Sequence, residues 1–232
     1  MELINFLEVF SPAIMETTVP KEFVDIINST GDEILSSKEK SIEWDYSNNL
    51  VGKVNKEIQI PIHSDKDRDL VIRVMRQGCL DYLKYIISKN KADNWYKLAG
   101  GDVTPAIDNI AITSSWIVSQ YAGEYNPYHS HSGDFSAVVY LKLPPKMQEE
   151  IENELKDHAP SNGLIEFIHG EDCAMRHNNV KFVPEVGKML MFPSYLKHFV
   201  YPFYSEGERR SMSFNADMVK GGIYDKKYTS TN

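Results

Sequence analysis

Two histidines, His129 and His131, stand two positions apart, and Asp134 follows three residues after the second of them. Side chains at positions i and i+2 of a strand point to the same face, so both imidazoles can enter one cavity. Imidazole suits iron, zinc, copper or nickel, and a carboxylate beside it suits iron(II). Asp134 can join them only if Ser132 and Gly133 form a bulge or a turn. The first ligands are therefore either His129 with His131, or one of these histidines with Asp134.

A third histidine and an arginine follow further along the chain. The segment from Gly187 to Pro193 is mostly apolar and leads through a turn to His198. Arg209 and Ser211 come after it, at positions that share one face of a strand. A guanidinium that faces the inside of a barrel needs an anionic partner, because an unpaired buried charge is costly. The sequence thus predicts an anion site on the face that carries Arg209.

This order of residues resembles the iron(II)- and 2-oxoglutarate-dependent oxygenases, in particular a bacterial and phage branch that is related to prolyl hydroxylases. The resemblance covers roughly Trp116 to Asn215. It implies an enzyme with Fe(II) and 2-oxoglutarate as cofactor and cosubstrate. Such an enzyme is a dioxygenase, expected to hydroxylate a peptide side chain or a small metabolite while O2 is consumed and succinate and CO2 are released.

The resemblance also implies a set of metal ligands. In this family two histidines and one carboxylate hold the iron, and His129 matches the first ligand while His198 matches the last. His131 stands where the family has its carboxylate. Either Asp134 supplies the carboxylate through a local bulge, or the metal has three histidine ligands.

A cosubstrate site is implied in the same way. The family's basic residue pairs with the far carboxylate of 2-oxoglutarate, and Arg209 with Ser211 matches it, whereas Arg210 is predicted to face away. A guanidinium fork suits a carboxylate by geometry as well as by charge. Tyr121 matches a strand tyrosine that contacts the cosubstrate, and its alternative role is that of a core aromatic residue.

Short segments rich in β-branched and aromatic residues must position these side chains. They are separated by glycine, proline and asparagine turns, which favours a sandwich or a jelly roll. The predicted strand segments are Ile110–Tyr121, Ser136–Leu143, Leu164–Ile168, Val180–Val183, Lys188–Phe192, His198–Phe203 and Arg210–Asn215.

Two helices are predicted before these strands. One begins near Pro20, and a longer amphipathic one spans Asp65 to Lys89. We therefore predict an α+β, mainly β fold, a double-stranded β-helix (jelly roll) with N-terminal helices packed on one sheet. Residues 1–232 are expected to form a single domain, with a mainly helical part at 1–106 and the β-helix core at 107–219.

Composition limits the classes of function. The net charge of −8 gives no general attraction to nucleic-acid phosphates, so nucleic-acid binding is disfavoured. No apolar run approaches the roughly 20 residues of a membrane-spanning helix, so no membrane partner is expected. The first residues carry acids and lack the features of a signal peptide, which predicts a cytoplasmic location.

Two other classes of function compete with the oxygenase interpretation. A cupin-like metal protein, either a 2-oxoglutarate-independent enzyme or a binding module, has a similar order of glycine, histidine and proline. The pair Arg209 and Ser211 distinguishes the oxygenase from a cupin-like protein, because a cupin-like protein needs no carboxylate-binding group there. A structural jelly roll would leave the inward-facing histidines without a role.

Overall fold

The computed structural model describes residues 12–60, 65–89, 105–154, 159–174 and 176–219, and these residues form two antiparallel sheets. The larger sheet has six strands in the order β1–β8–β5–β10–β3–β2. The smaller sheet has four strands in the order β4–β9–β6–β7. In chain order the strands are β1 Met15–Thr18, β2 Lys56–Gln59, β3 Ile110–Gln120, β4 Asn126–His129, β5 Phe135–Lys142, β6 Ile165–Ile168, β7 Asn179–Phe182, β8 Lys188–Pro193, β9 Lys197–Val200 and β10 Arg209–Met218.

Helices precede the core strands and interrupt them once. Their bounds are α1 Lys21–Ser36, α2 Lys38–Glu43, α3 Asp65–Ser88 and α4 Met147–Glu154, with short 3-10 turns at Ser47–Asn49 and Ile107–Asn109. The first helix begins directly after Pro20, whose fixed φ suits the start of a helix. None of the helices within the described ranges is both long and apolar enough to span a membrane.

One face of the larger sheet is covered by the N-terminal helices. Phe23 and Ile27 of α1 and Met75 of α3 belong to the same buried cluster as Met212 and Phe214 of β10. Residues at alternate positions of a strand share a face, so the residues between these two, and on either side of them, point the other way. The predicted packing of helices on one sheet is confirmed.

The opposite face of the larger sheet packs against the smaller sheet. Val138 and Tyr140 of β5 form a second buried cluster with Ile165 and Phe167 of β6. The two sheets therefore enclose an interior between them, as in a jelly roll, and the predicted fold class is confirmed.

Two strands from the region before residue 107 complete the larger sheet. β1 pairs with β8, and β2 pairs with β3, so each forms an edge of the sheet. The four residues of β1 are mostly exposed. Their sequence lacks the alternation of apolar and polar residues that predicts a half-buried strand. These edge strands attach the N-terminal part of the chain to the strands that bear the candidate site.

Candidate metal and cosubstrate site

Three histidines converge between the two sheets. His129 ends β4 and lies directly opposite His198 of β9 in the antiparallel register. His131 follows two residues later, and its ring centroid lies 4.9 Å from that of His129 and 5.1 Å from that of His198. One ligand atom from each of the three residues lies within 4.8 Å of the others.

Backbone hydrogen bonds orient two of these rings. Nδ1 of His198 donates to the carbonyl oxygen of Leu196 (2.9 Å), and Nδ1 of His129 donates to that of Pro127 (2.6 Å). Because a carbonyl oxygen can only accept, the proton of each neutral ring is on Nδ1 and the Nε2 lone pair is available. A hydrogen bond to the second ring nitrogen is the usual support of a metal-binding histidine.

The spacing and charge of the imidazoles fit a metal ion. The Nε2 atoms of His131 and His198 lie 3.3 Å apart. Nitrogens at about 2.1 Å from one metal lie about 3 Å apart when they subtend a right angle. Burial lowers the pKa of His131 to about 4 and holds the pKa of His198 well below its ordinary value. Both rings are therefore uncharged at neutral pH, which is the form that binds a metal.

Asp134 is placed outside the histidine cluster. Gly133 adopts a positive φ of 94°, and a Cβ there would lie 2.6 Å from Oδ1 of Asp217. The turn that this glycine permits leads the carboxylate towards the end of β10, where Oδ2 of Asp134 accepts a hydrogen bond from the backbone N–H of Met218 (2.9 Å). Of the two predicted alternatives for the middle ligand, the structure brings His131 to the other histidines.

The histidines share their cavity with a buried arginine. Arg209 is 2% exposed, and its Nη1 donates to Oε1 of Gln120 (3.0 Å). Its Nε has no hydrogen-bond partner among the described residues, and burial lowers the pKa of its guanidinium. The cavity is lined by Asn49, Leu50, Val51, Trp116, Val118, Gln120, Asn126, His129, Ser130, His131, Ala137, Val138, Ile165, Phe192, His198, Val200, Arg209, Ser211 and Ser213.

Tyr140 is a polar residue of this region that the sequence analysis missed. It lies opposite Ser211 in the pairing of β5 with β10, and its ring centroid is 5.1 Å from Cζ of Arg209. The side chain is fully buried, and its hydroxyl has no hydrogen-bond partner among the described residues. Burial raises the pKa of Tyr140, so the hydroxyl remains a donor at neutral pH. Tyr140 lies two residues after Val138 on β5, so strand alternation predicts that both side chains point inward.

Arg210 faces the other side of the sheet, as its position in the strand predicts. It donates to the carboxylate of Glu208 (2.7 Å), to that of Asp32 on α1 (2.7 Å) and to the backbone oxygen of Asn28 (3.2 Å). Arg210 therefore binds the strand to the first helix, while Arg209 lines the cavity.

Tyr121 does not line the cavity, and its side chain is 40% exposed. Trp116, Val118 and Gln120 of β3 point into the cavity, and the next position after Gln120 must point away from it. The chain therefore offers Gln120, rather than Tyr121, to a molecule bound beside Arg209.

A buried carboxyl group lies beside the cavity. Glu57 of β2 pairs with Val118, a residue of the cavity wall, and a Cβ at Gly52 would overlap its Oε1. This oxygen has no hydrogen-bond partner among the described residues. Burial, together with the charges of Asp45 and Glu124, raises the pKa of Glu57 to about 7.

This raised pKa predicts a pH-dependent stability. A carboxyl group whose pKa is higher in the folded chain contributes stability below its ordinary pKa of 4.5 and loses it as the pH rises to about 7. Glu57→Gln should therefore have a growing advantage over the unaltered chain from pH 5 to pH 8, by up to roughly 3 kcal/mol. Urea unfolding of both proteins at several pH values measures this difference, and parallel pH profiles would contradict it.

Comparison with known proteins gives a family match for part of the chain. Residues 114–215 match the family model described as "Putative 2OG-Fe(II) oxygenase", which confirms the resemblance seen in the sequence. A comparison with curated protein sequences gave no match.

Solved structures share the fold at low sequence identity. AviO1 from Streptomyces viridochromogenes Tue57 has a TM-score of 0.52 and 13% identity, with 91% of each chain covered. A prolyl hydroxylase from Trichoplax adhaerens, solved with a peptide fragment of the hypoxia inducible factor oxygen degradation domain, has a TM-score of 0.51 and 13% identity. That match covers 94% of this chain and 87% of the hydroxylase. At these identities the likeness establishes the fold.

Proposed function

We propose that this chain, whose residues 114–215 match a 2OG-Fe(II) oxygenase family model, is a dioxygenase that hydroxylates a peptide side chain or a small metabolite. One observation carries the proposal. A single cavity between the sheets contains three uncharged imidazoles and a buried guanidinium whose Nε has no partner among the described residues. The imidazoles suit iron(II), and the guanidinium suits the far carboxylate of 2-oxoglutarate.

The residues divide between the two small molecules. His129, His131 and His198 would hold the iron, while Arg209 and Tyr140 would donate to the far carboxylate of the cosubstrate. When bound, iron(II) and 2-oxoglutarate supply the oxidising chemistry, in which O2 is reduced, the cosubstrate leaves as succinate and CO2, and the substrate gains a hydroxyl group.

The chain itself contributes orientation and shelter. The Nδ1 hydrogen bonds of His129 and His198 prevent the rings from rotating, so that Nε2 keeps its direction. Phe167 and Phe192 pack against His198, with ring centroids 5.4 Å and 4.8 Å from its own. These rings exclude water from one side of the site, which strengthens charge interactions within it.

The buried arginine also separates this proposal from the cupin-like alternative. A cupin-like metal protein has no use for a buried cation in its metal cavity. A buried cation without an anionic partner lowers the stability of a folded chain by roughly several kcal/mol. An anionic cosubstrate in the cavity removes that cost. Arg209 therefore favours an oxygenase that uses 2-oxoglutarate.

We further propose that His131 occupies the ligand position that a carboxylate has in related enzymes. Replacing His131 with alanine should weaken iron(II) binding by about 30-fold or more, because it removes one of three ligands. Asp134→Ala should leave iron affinity within about threefold while it lowers the unfolding free energy by about 1–2 kcal/mol, since the Met218 hydrogen bond is lost. Anaerobic titration with a chromophoric iron chelator as competitor measures both affinities. Loss of iron in the Asp134 variant alone would contradict this assignment.

The activity has a direct test that needs no knowledge of the substrate. Purified protein should convert 2-oxoglutarate slowly into succinate when iron(II) and O2 are both supplied. Enzymes of this chemistry consume some cosubstrate even when no substrate is hydroxylated. Removing iron with a chelator, or removing O2, should stop succinate formation. Succinate formation that continues without iron would contradict the proposed function.

A further inference from the structure

Gln120 is the direct neighbour of the buried arginine. It is the last residue of β3 and lies opposite Arg209, the first residue of β10, in the antiparallel register. Its side chain is 0% exposed and lines the same cavity as the histidines. A buried amide is stable only when both of its ends are hydrogen-bonded, so the partners of Gln120 reveal what it does.

Both ends of this amide have partners of opposite type. Oε1 of Gln120 accepts from Nη1 of Arg209 (3.0 Å), and Nε2 donates to the backbone oxygen of Glu124. A guanidinium has only donors and a carbonyl has only acceptors, so the amide cannot be turned round without losing both bonds. These two hydrogen bonds therefore fix the orientation of the Gln120 amide.

The turn that receives the Gln120 amide is itself attached at two points. Oε2 of Glu124 accepts from the backbone N–H of Tyr121 (2.8 Å), and Oε1 accepts from the backbone N–H of Asn55 (3.1 Å). The chain of contacts from Asn55 through Glu124 and Gln120 thus ends at the guanidinium. Arg209 has one of its nitrogens held by a rigid acceptor, while its Nε has no partner among the described residues.

The acceptor is neutral, and this matters for an anion site. A carboxylate in place of the amide would hold Arg209 equally well and would also neutralise it. The amide holds the guanidinium through one nitrogen and leaves its positive charge for a ligand. Gln120 therefore combines a fixed position of the cation with an uncompensated charge.

We propose that Gln120 is a positioning residue that fixes the distance from the Arg209 guanidinium to the histidine cluster, and so selects the length of the 2-oxo diacid that the site accepts. This inference rests on the proposed function, since it concerns the cosubstrate of the same cavity. A diacid must reach the metal with one end and the guanidinium with the other. Movement of Arg209 by the length of one methylene group changes which diacid does so.

Three probes separate positioning from a structural role: 2-oxoglutarate, 2-oxoadipate, which is one methylene longer, and 2-oxobutyrate, which lacks the far carboxylate. Each is titrated anaerobically into the iron(II)-loaded protein, and binding is followed by the visible absorption of the chelate. The unaltered chain should prefer 2-oxoglutarate to 2-oxoadipate by about tenfold or more, the usual effect of one methylene in a fitted pocket.

Two variants of Gln120 test the two parts of the inference. Gln120→Leu keeps the volume and the charge of Arg209 but frees the guanidinium, so the preference for 2-oxoglutarate over 2-oxoadipate should fall to about threefold or less. Gln120→Glu keeps the contact and neutralises the cation, so the affinity for 2-oxoglutarate should fall towards that for 2-oxobutyrate. Affinity for 2-oxobutyrate should change by less than about twofold in both variants, because this probe does not reach Arg209. Gln59→Leu, an exposed glutamine on β2, is the matched control and should behave as the unaltered chain.

The outcomes distinguish the inference from the proposed function. A Gln120→Leu variant that retains the full preference for 2-oxoglutarate, or a Gln120→Glu variant that retains full affinity, would overturn the role of Gln120. Equal loss of all three probes would also overturn it, because that pattern reports damage to the whole cavity. If the unaltered chain binds iron but none of the three probes, the proposed function itself fails.

Discussion

Replacing His198 with alanine should abolish iron(II) binding and every iron-dependent activity of this chain. His198 is 4% exposed and lies opposite His129 in the register, with its Nε2 atom 3.3 Å from that of His131. Its removal leaves only two of the three proposed imidazole ligands, so iron affinity should fall by about 100-fold or more. Anaerobic competition with a chromophoric chelator measures this loss, and succinate formation from 2-oxoglutarate gives a second readout.

The His198 variant needs a control for folding and one for histidine content. Circular dichroism and thermal unfolding should show that the His198→Ala chain remains folded, because the ring bears no charge and its loss removes only the hydrogen bond to Leu196 and the contact with Nε2 of His131. His177→Ala is the matched variant, since that side chain is 93% exposed and lies outside the cluster. If the His198 variant retained full iron affinity, the three-histidine site would be wrong.

Arg209→Ala should raise the dissociation constant for 2-oxoglutarate by about 30-fold or more, which corresponds to roughly 2 kcal/mol or more of lost binding. The guanidinium is buried and only one of its nitrogens is engaged by Gln120. Its loss removes a charge-assisted contact with the far carboxylate but leaves the imidazoles in place. Iron affinity should therefore change by less than about threefold. Anaerobic titration with 2-oxoglutarate and a separate iron titration measure the two quantities.

Arg210 is the control for this prediction, and the structure specifies what its loss should do. Arg210→Ala leaves the carboxylate of Glu208 buried and deprived of its strongest partner, so the unfolding free energy should fall by about 2–4 kcal/mol. Affinity for 2-oxoglutarate should remain within about threefold, because Arg210 faces α1. If Arg210 instead determined the affinity and Arg209 were silent, the assignment of the strand faces would be wrong.

The fold was predictable where one face of a strand or helix is buried. The alternation that placed Arg209 and Ser211 on one face turned Arg209 inward and Arg210 outward, and β10 has this arrangement. The apolar stripe of Asp65–Lys89 predicted α3. β4 was not among the predicted strand segments, because Pro127 interrupts its short run and its side chains are only partly buried.

The structure differs from the sequence analysis at two places in the candidate site, one through a distant contact and one through strand alternation. The direction of Asp134 is determined by Met218, 84 residues further along the chain, so spacing from the histidines was uninformative about it. Tyr121 and Tyr140 are both tyrosines near strand ends, and their difference arises from where alternation places each side chain. Gln120 ends its strand facing inward and occupies the place that the sequence analysis gave to Tyr121.

The resemblance to a family with a carboxylate ligand left the middle ligand undecided for a physical reason. A histidine at position i+2 and an aspartate beyond a glycine turn can each reach a metal, and only the path of the turn distinguishes them. In the structure the turn forms, but the backbone of β10 receives the carboxylate. Tertiary pairing thus determines which of the two side chains lies beside the other histidines.

Anaerobic titration of the unaltered chain with iron(II) and 2-oxoglutarate tests the central claim most directly. The weak visible absorption of the iron–cosubstrate chelate should appear only when both components are present, and it should saturate at one of each per chain. Neither iron(II) alone nor 2-oxoglutarate alone should produce it. Stoichiometric iron binding without this absorption at saturating 2-oxoglutarate would contradict the account, because the cavity would then hold a metal without the cosubstrate.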